Sequence, residues 1–285
     1  FFQELEELPD YVGTLYSVES SSGAYEISSE VGELDDFTEF TGSVSYGSQN
    51  QGYDVRATHV EFSKGIQVER KLFDDDSHGI INKKPLGLAT AYNRTRQKHA
   101  ARMLNNAMSV DTMFYSHTEA VALCSDSHTT TSGASTATGF DNLTTASLTA
   151  VGLSAARIQF SGFRDDIGNR FMSMADELWI PIDLFEQAQE IIQSSGKVDV
   201  ATNNVNVHKG KFTIMPNENG WNYMTDTNNW FLMDSRLRKR FCTWYDRVPL
   251  EFAQAEELDT LIAKWRAYCR YSNKYQNWRF ILGSQ

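Results

Sequence analysis

The chain has 285 residues, 41% hydrophobic and 22% charged, an ordinary mix for a folded protein of one large domain or two small ones. Its three cysteines, Cys124, Cys242 and Cys269, are odd in number and widely spaced, so they form no disulfide framework and match no zinc or redox spacing. They read as reduced thiols of a protein folded inside a cell. No apolar run approaches the ~18 residues of a membrane helix, and no signal peptide is visible. The first residue is Phe1 rather than Met, so the natural start is expected to be cleaved off or to lie upstream.

The net charge of −11 is local. Between Phe1 and Phe40 stand 11 acids and no Lys or Arg; the 26 remaining acids match the chain's 26 bases. A like-charged run of this kind reads as a solvated or interaction-prone arm. Leu5, Leu8, Tyr11, Val12, Leu15 and Tyr16 within it need an apolar surface, so the expectation is an arm lying along a neighbouring subunit.

From Phe40 to Leu72 the pattern is strand-like. Val55, Ala57, Val60, Phe62, Ile66, Val68 and Leu72 carry the apolar positions, mostly at period two, with polar residues between them. The polar run from Tyr46 to Tyr53 predicts a reversal, and the whole predicts a long hairpin projecting from the body. A single helix is expected from Leu86 to Met108, with Ala89, Tyr92, Ala100, Met103, Leu104 and Ala107 on one face and Arg94, Arg96, Lys98 and Arg102 on the other. A strand within Thr112–Leu123 and a Ser/Thr/Gly-rich loop from Ser125 to Thr144 follow, then helical patterning at Leu148–Phe160. Phe171–Leu184 reads as a strand region leading into a helix at Phe185–Ser194, with further strands at Val205–Met215 and Trp230–Met233. Alternation returns at Trp265–Tyr271 and Trp278–Leu282 around turn chemistry at Ser272–Asn277, predicting an antiparallel sheet built from the last residues. There are no internal repeats.

Catalytic constellations are weak. Asp74, Asp75 and Asp76 with His78 offer metal-ligand types, but adjacent residues point to different sides and helix-entry chemistry explains them better. Ser125, Asp126, Ser127 and His128 have the residue types of a hydrolase triad without a nucleophile elbow. No phosphate-binding glycine motif is present. The basic clusters Arg94, Lys98, Arg102 and Arg236, Arg238, Lys239, Arg240 lack an interleaved aromatic reading surface, and partnering the acidic arm of a neighbour explains them at least as well. No catalytic, cofactor-binding or metal residue is therefore assigned, and no cofactor is expected.

The order of an acidic arm, projecting hairpin, long helix, α/β region and terminal strands resembles the α+β HK97-type capsid fold of tailed bacteriophages, with its N-terminal arm, extended loop, spine helix, and peripheral and axial domains. Val68–Gly79 is similar to the family's passage from hairpin into helix, and Met113–His117 to its short strand ending in Phe and His. Leu178–Phe185 resembles its strand ending in Pro before a helix, and Asn228–Asp234 its late Trp-x-Leu-x-Asp strand. Mu-like major head subunits are the nearest resemblance, although the 125–144 loop is longer and richer in Ser and Thr. The resemblance implies an arm at 1–36, an extended loop at 37–75, a peripheral domain with spine helix at 76–147, an axial domain at 148–234, and a return to the peripheral strands at 235–285.

It also implies a major capsid protein, not an enzyme, that assembles with itself into hexamers and pentamers of an icosahedral shell in the host bacterial cytoplasm and ends in the virion. Portal, scaffold and decoration proteins are the implied partners; the shell encloses double-stranded DNA without sequence-specific binding, and no membrane is involved. An encapsulin-like compartment is the alternative. Some relatives crosslink through a Lys–Asn bond; Lys64 and Lys71 lie on the expected hairpin, but no acceptor or catalytic acid is identifiable and that chemistry is not carried over.

Overall fold

The structure is a computed structural model and describes residues 2–75, 83–196, 205–216, 219–257 and 261–285. In chain order it contains α1 (Phe2–Glu7), α2 (Val12–Leu15), β1 (Ser17–Ser20), β2 (Tyr25–Val31), β3 (Gln51–Thr58), β4 (Val60–Glu69), α3 (Arg70–Asp74) and α4 (Leu86–Asn105). There follow β5 (Tyr115–His117), β6 (Leu143–Thr144), α5 (Ala150–Phe160), β7 (Glu177–Trp179), a 3-10 turn (Ile182–Leu184), α6 (Phe185–Gln193) and β8 (Thr213–Met215). The chain ends with β9 (Trp230–Met233), α7 (Ser235–Phe241), β10 (Cys242–Glu257), β11 (Ile262–Tyr275) and β12 (Ile281–Ser284).

Three sheets organise these elements: β1-β10-β11-β4, β6-β12-β9-β7-β8 and β2-β3-β5. The long antiparallel pair is β10–β11, about 50 Å at ~3.4 Å per residue. Its register shifts twice between Asp246 and Glu251, at a point where Pro249 can donate no ladder bond. Helix α4 spans about 30 Å and turns Leu88, Ala89, Gln97, Ala100, Ala101, Met103 and Leu104 inward. Among the described residues no helix is long and apolar enough to cross a membrane.

Among the described residues the main core is rich in fully buried aromatics, including Trp179, Trp221, Trp230, Trp244, Phe160 and Phe163, and a smaller cluster of Val68, Leu88, Trp265 and Ala267 lies apart from it. His99, on α4, sits in an aromatic nest, its ring centroid 4.7 Å from Phe62 and 5.3 Å from Phe114, with Nδ1 2.8 Å from the Tyr271 hydroxyl. Burial, helped by Arg102, pushes its pKa from 6.5 down to about 4. A lowered histidine means that the unfolded chain takes up the proton first, so stability falls as pH drops from 6.5 toward 4. Urea unfolding at neutral pH and near pH 5 is expected to show this loss, and His99→Phe to reduce the slope.

The structure redraws the projecting hairpin. Residues 32–50 form no strand: Gly42 and the polar run after it interrupt Phe40, Val44 and Tyr46 before they can pair. The hairpin strands are β2, inside the segment expected to be an arm, and β3, with residues 32–50 as an exposed tip. At His59 the chain changes sheets, and β4 pairs with β11 along ten residues. Alternation identifies a strand without naming its partner, which here is set by contacts some 200 residues away.

The ends of the chain differ as well. The predicted turn at Ser272–Asn277 is strand through Tyr275, and the last two strands join different sheets, because β12 pairs with β9 and β6. Only Tyr115–His117 of the Thr112–Leu123 segment, and Thr213–Met215 of the Val205–Met215 segment, are strands.

The acidic segment is also corrected. Tyr11 is partly buried and Val12, Leu15 and Tyr16 are buried in the chain's own core, so they do not wait for a neighbour. Asp10 accepts from Gln97 Nε2 at 2.7 Å and lies 3.9 Å from Arg96, while the Tyr16 hydroxyl donates to the Ala100 carbonyl at 3.0 Å. Arg238 closes the dock: its guanidinium donates to the Thr14 and Leu15 carbonyls and forms a two-pronged pair with Glu177, at 2.7 and 2.8 Å.

Candidate assembly surface

The tip between β2 and β3 carries the two most exposed large apolar side chains among the described residues. Phe37 and Tyr46 are 107% and 93% exposed, and Leu34, Phe40 and Val44 are also open to solvent. Glu33, Asp35, Asp36 and Glu39 lie among them with no base between residues 32 and 50. Large aromatics left in water cost free energy that only a covering surface returns, and contiguous exposed apolar residues mark such contacts.

The neck of this loop, by contrast, is tied to the body. Gly32 N–H donates to the Asn50 carbonyl at 2.8 Å and Glu33 N–H to Asp166 Oδ1 at 2.9 Å. Gln276 Nε2 donates to the Ser29 carbonyl at 2.8 Å, and the Thr131 hydroxyl to the Gln51 carbonyl at 3.0 Å. The Ser/Thr-rich loop thus supports the neck, as does the contact between the Tyr53 and Thr129 hydroxyls at 2.7 Å.

A second surface is the groove between α4 and the β4–β11 pair, about 310 Å³, floored by Phe62, Leu88, Tyr92, Leu250 and Tyr271 with Lys64 and Arg94 at its edge. Its floor is apolar and its edge basic, the complement of the acidic, aromatic tip.

The triad residue types do not meet as a triad. His128 is buried and stacked on Trp278, with ring centroids 4.2 Å apart and planes 8° from parallel. Both its nitrogens are engaged, Nδ1 with Glu119 Oε1 at 3.1 Å and Nε2 with Asn142 Oδ1 at 3.0 Å, leaving none to take a serine proton. Burial favours the neutral Glu119 carboxyl, but the hydrogen bond and charge of His128 and the Thr129 N–H together hold its pKa below the ordinary value. Ser127 instead faces Ser125, with hydroxyls 3.3 Å apart.

Asp76 and His78 lie outside the described residues, and among those described no group of three His, Cys, Asp or Glu is arranged to hold a metal ion. Of the basic clusters, Arg102 is committed to Asp111 at 2.7 and 2.9 Å and Arg238 to Glu177, whereas Arg94, Lys98, Arg236, Lys239 and Arg240 remain exposed. Lys64 stands exposed on β4 and Lys71 on α3, neither on the projecting hairpin. Arg238, Glu177 and Asn142 were not singled out by sequence reasoning for their structural roles; buried charge and amide are recognisable only once their surroundings are known.

A family model described as phage capsid protein matches residues 52–282. The chain belongs to the phage capsid protein family. Among solved structures, the capsid of the native GTA particle aligns with a TM-score of 0.55 at 12% identity, over 97% of this chain and 90% of that one. The mature capsid of bacteriophage PhiM1 aligns at 0.55 with 8% identity, covering 95% and 84%, and the bacteriophage JBD30 capsid at 0.50 with 10% identity. This chain covers 97% of itself in the last alignment but 65% of the JBD30 chain's length. No curated protein matches. At such identities the likeness speaks for the fold, which is the HK97-type capsid fold. This capsid protein is a structural component of a phage virion.

Proposed function

We propose that copies of this chain form hexamers and pentamers closing into an icosahedral shell around double-stranded DNA, assembled in the host cytoplasm with portal, scaffold and decoration proteins as partners. In this reading the β2–β3 loop is the extended loop and α4 the spine helix. The four-stranded sheet is the peripheral region, and the five-stranded sheet with α5 and α6 the axial one. The observation that carries the reading is the exposed aromatic tip at Phe37, Phe40 and Tyr46, on a neck held by several hydrogen bonds. The loop is aimed, and what it is aimed at lies outside its own chain. Stability of the shell then comes from area summed over many modest contacts.

Replacing residues 34–48 by a short Gly-Ser turn tests this. The expected result is a folded monomer with unchanged near-ultraviolet circular dichroism and no shells by negative-stain electron microscopy. Normal shells from that variant would sink the proposed role of the loop. Nucleic acid inside purified particles, rather than protein cargo, separates a phage head from a compartment of encapsulin type.

A further inference from the structure

Two short connections join the four-stranded sheet to the sheet that carries the projecting loop. Residues 21–24 lead from β1 to β2, and His59 alone leads from β3 to β4. The His59 ring is 4% exposed and ties the two connections together. Its Nε2 lies 2.9 Å from the Ser21 hydroxyl, on the other connection, and its Nδ1 lies 2.9 Å from the Ser272 hydroxyl, on β11. Both connections also hold the body through the backbone. Ser21 N–H donates to the Asp246 carbonyl at 3.2 Å, and Thr58 N–H to the Phe114 carbonyl at 2.7 Å.

Glu26 fixes the direction of the side-chain bonds. The Ser21 hydroxyl donates to Glu26 Oε1 at 2.6 Å, so its one hydrogen is committed and toward His59 it can only accept. Nε2 therefore carries the ring hydrogen. Nδ1 is left bare and takes the hydrogen of the Ser272 hydroxyl, a fully buried group. A neutral ring thus completes every bond from Ser272 through His59 and Ser21 to Glu26. An imidazolium would carry a second N–H on Nδ1 and turn the Ser272 hydrogen away from its acceptor, in a site closed to solvent.

We propose that neutral His59 pins the joint between the two sheets at the base of the projecting loop, and that protonation of this ring loosens the joint. The groups around it set the sign. Burial disfavours the imidazolium most, the charges of Arg270 on β11 and Arg247 on β10 add to this, and Glu26 on β2 opposes it. The Tyr245 ring, on β10, stands 6.2 Å away at 74°, with the Lys274 ammonium 5.2 Å from its centroid. The outcome is a His59 pKa lowered from 6.5. A histidine lowered in the closed joint takes up its proton more readily once the joint is open. The pin is therefore complete above pH 6.5 and weakens as pH falls from there through the lowered value. Each unit of that lowering carries a tenfold change in the ratio of closed to open joint. This inference concerns the joint within one chain and stands whether or not the tip covers a second subunit.

Nuclear magnetic resonance of the full, unassembled chain reads the ring and the joint together. At neutral pH the His59 ring is expected as the Nε2–H tautomer, with a titration midpoint below 6.5. As pH falls through that midpoint, the Ser21 and Thr58 amides are expected to lose protection from hydrogen exchange relative to the Trp221 amide. Trp221 N–H donates to the Ile180 carbonyl at 2.9 Å and reports the stability of the chain as a whole, the contribution of His99 included. His59→Gln, whose amide offers a donor and an acceptor without titrating, is expected to hold that ratio flat, and His99→Phe to leave its slope in place. Glu26→Gln, at a partly exposed position, is expected to move the His59 midpoint lower and keeps the test open should the His59 variant fail to fold. The Nδ1–H tautomer, a midpoint at or above 6.5, a flat ratio in wild type, or an unmoved midpoint in Glu26→Gln overturns the pin. So does a slope that survives His59→Gln or vanishes in His99→Phe. None of these readouts depends on shell formation, so failure of the pin is separate from failure of the assembly reading.

Discussion

Replacing Arg238 by alanine is expected to destabilise the fold by about 3–5 kcal/mol, the usual cost of leaving one member of a buried ion pair unpaired. The Arg238 and Glu177 side chains are 2% and 8% exposed, so solvent screens neither. Three elements meet at this guanidinium: it leaves α7, pairs with Glu177 at the start of β7 and lies 5.6 Å over the Trp179 ring at its end, and caps the Thr14 and Leu15 carbonyls at the end of α2. Glu177 also accepts from Trp179 Nε1 at 2.9 Å, so the alanine variant leaves a carboxylate tied only to an indole. Urea unfolding gives the magnitude, and protease sensitivity of residues 2–20 reports release of the docked segment. An Arg238→Met, Glu177→Leu double variant is expected to recover part of the loss, because a buried pair replaced by apolar side chains is often neutral. Recovery stays partial because the Thr14 and Leu15 carbonyls still lack their donor. A single variant as stable as wild type would mean that the arm is held by its apolar residues alone.

The second large effect belongs to Asn142, which is fully buried and uses all of its amide. Its Oδ1 accepts the Ser125 N–H at 2.8 Å and faces His128 Nε2 at 3.0 Å, while its Nδ2 donates to the Leu123 and Ile281 carbonyls at 2.9 and 3.1 Å. One side chain thereby ties both ends of the Ser/Thr-rich loop to the entry of β12. Asn142→Leu keeps the branching and heavy-atom count of the side chain and removes all four bonds. At about 1–3 kcal/mol for each buried group left unsatisfied, the expected cost is roughly 4 kcal/mol or more. Asn142→Asp keeps the two contacts at the oxygen and turns a carboxylate on two carbonyls, so it is also expected to destabilise. Thermal unfolding measures both. Near-ultraviolet circular dichroism is expected to lose intensity as the His128–Trp278 stack loosens. A Leu variant with wild-type stability would show that this loop closes without Asn142.

The second effect bears on the assembly reading because Asn142 acts behind the projecting loop. Asn142 and His128 hold the segment whose Thr129 and Thr131 brace the neck, through contacts to Tyr53 and the Gln51 carbonyl. A loosened brace is expected to weaken shells before it unfolds the chain.

The local patterns determined much of the element list. The run of small and long apolar residues at helical spacing in 86–105 specified α4, and Trp230–Met233 is a strand as its apolar run requires. Ala150–Phe160, capped by the Thr149 hydroxyl on the Gly152 N–H, is a helix from its own residues. The acidic N-terminal segment is equally legible, since charge needs no partner to be counted, whereas the tip is not, because local alternation placed the reversal at Tyr46–Tyr53. Tertiary structure alone decided which strands pair. Strand β10, with two register shifts in its central stretch, carries no continuous alternation to announce it, and β4 left β3 because β11 offered it a ten-residue ladder. It also decided that the arm docks on its own α4, because the Gln97 and Arg238 partners of Asp10, Thr14 and Leu15 lie 87 or more residues away. The same holds for Glu30, Asp166 and Arg279: as letters they are ordinary surface charges, and only folding brings them to the lining of one cavity.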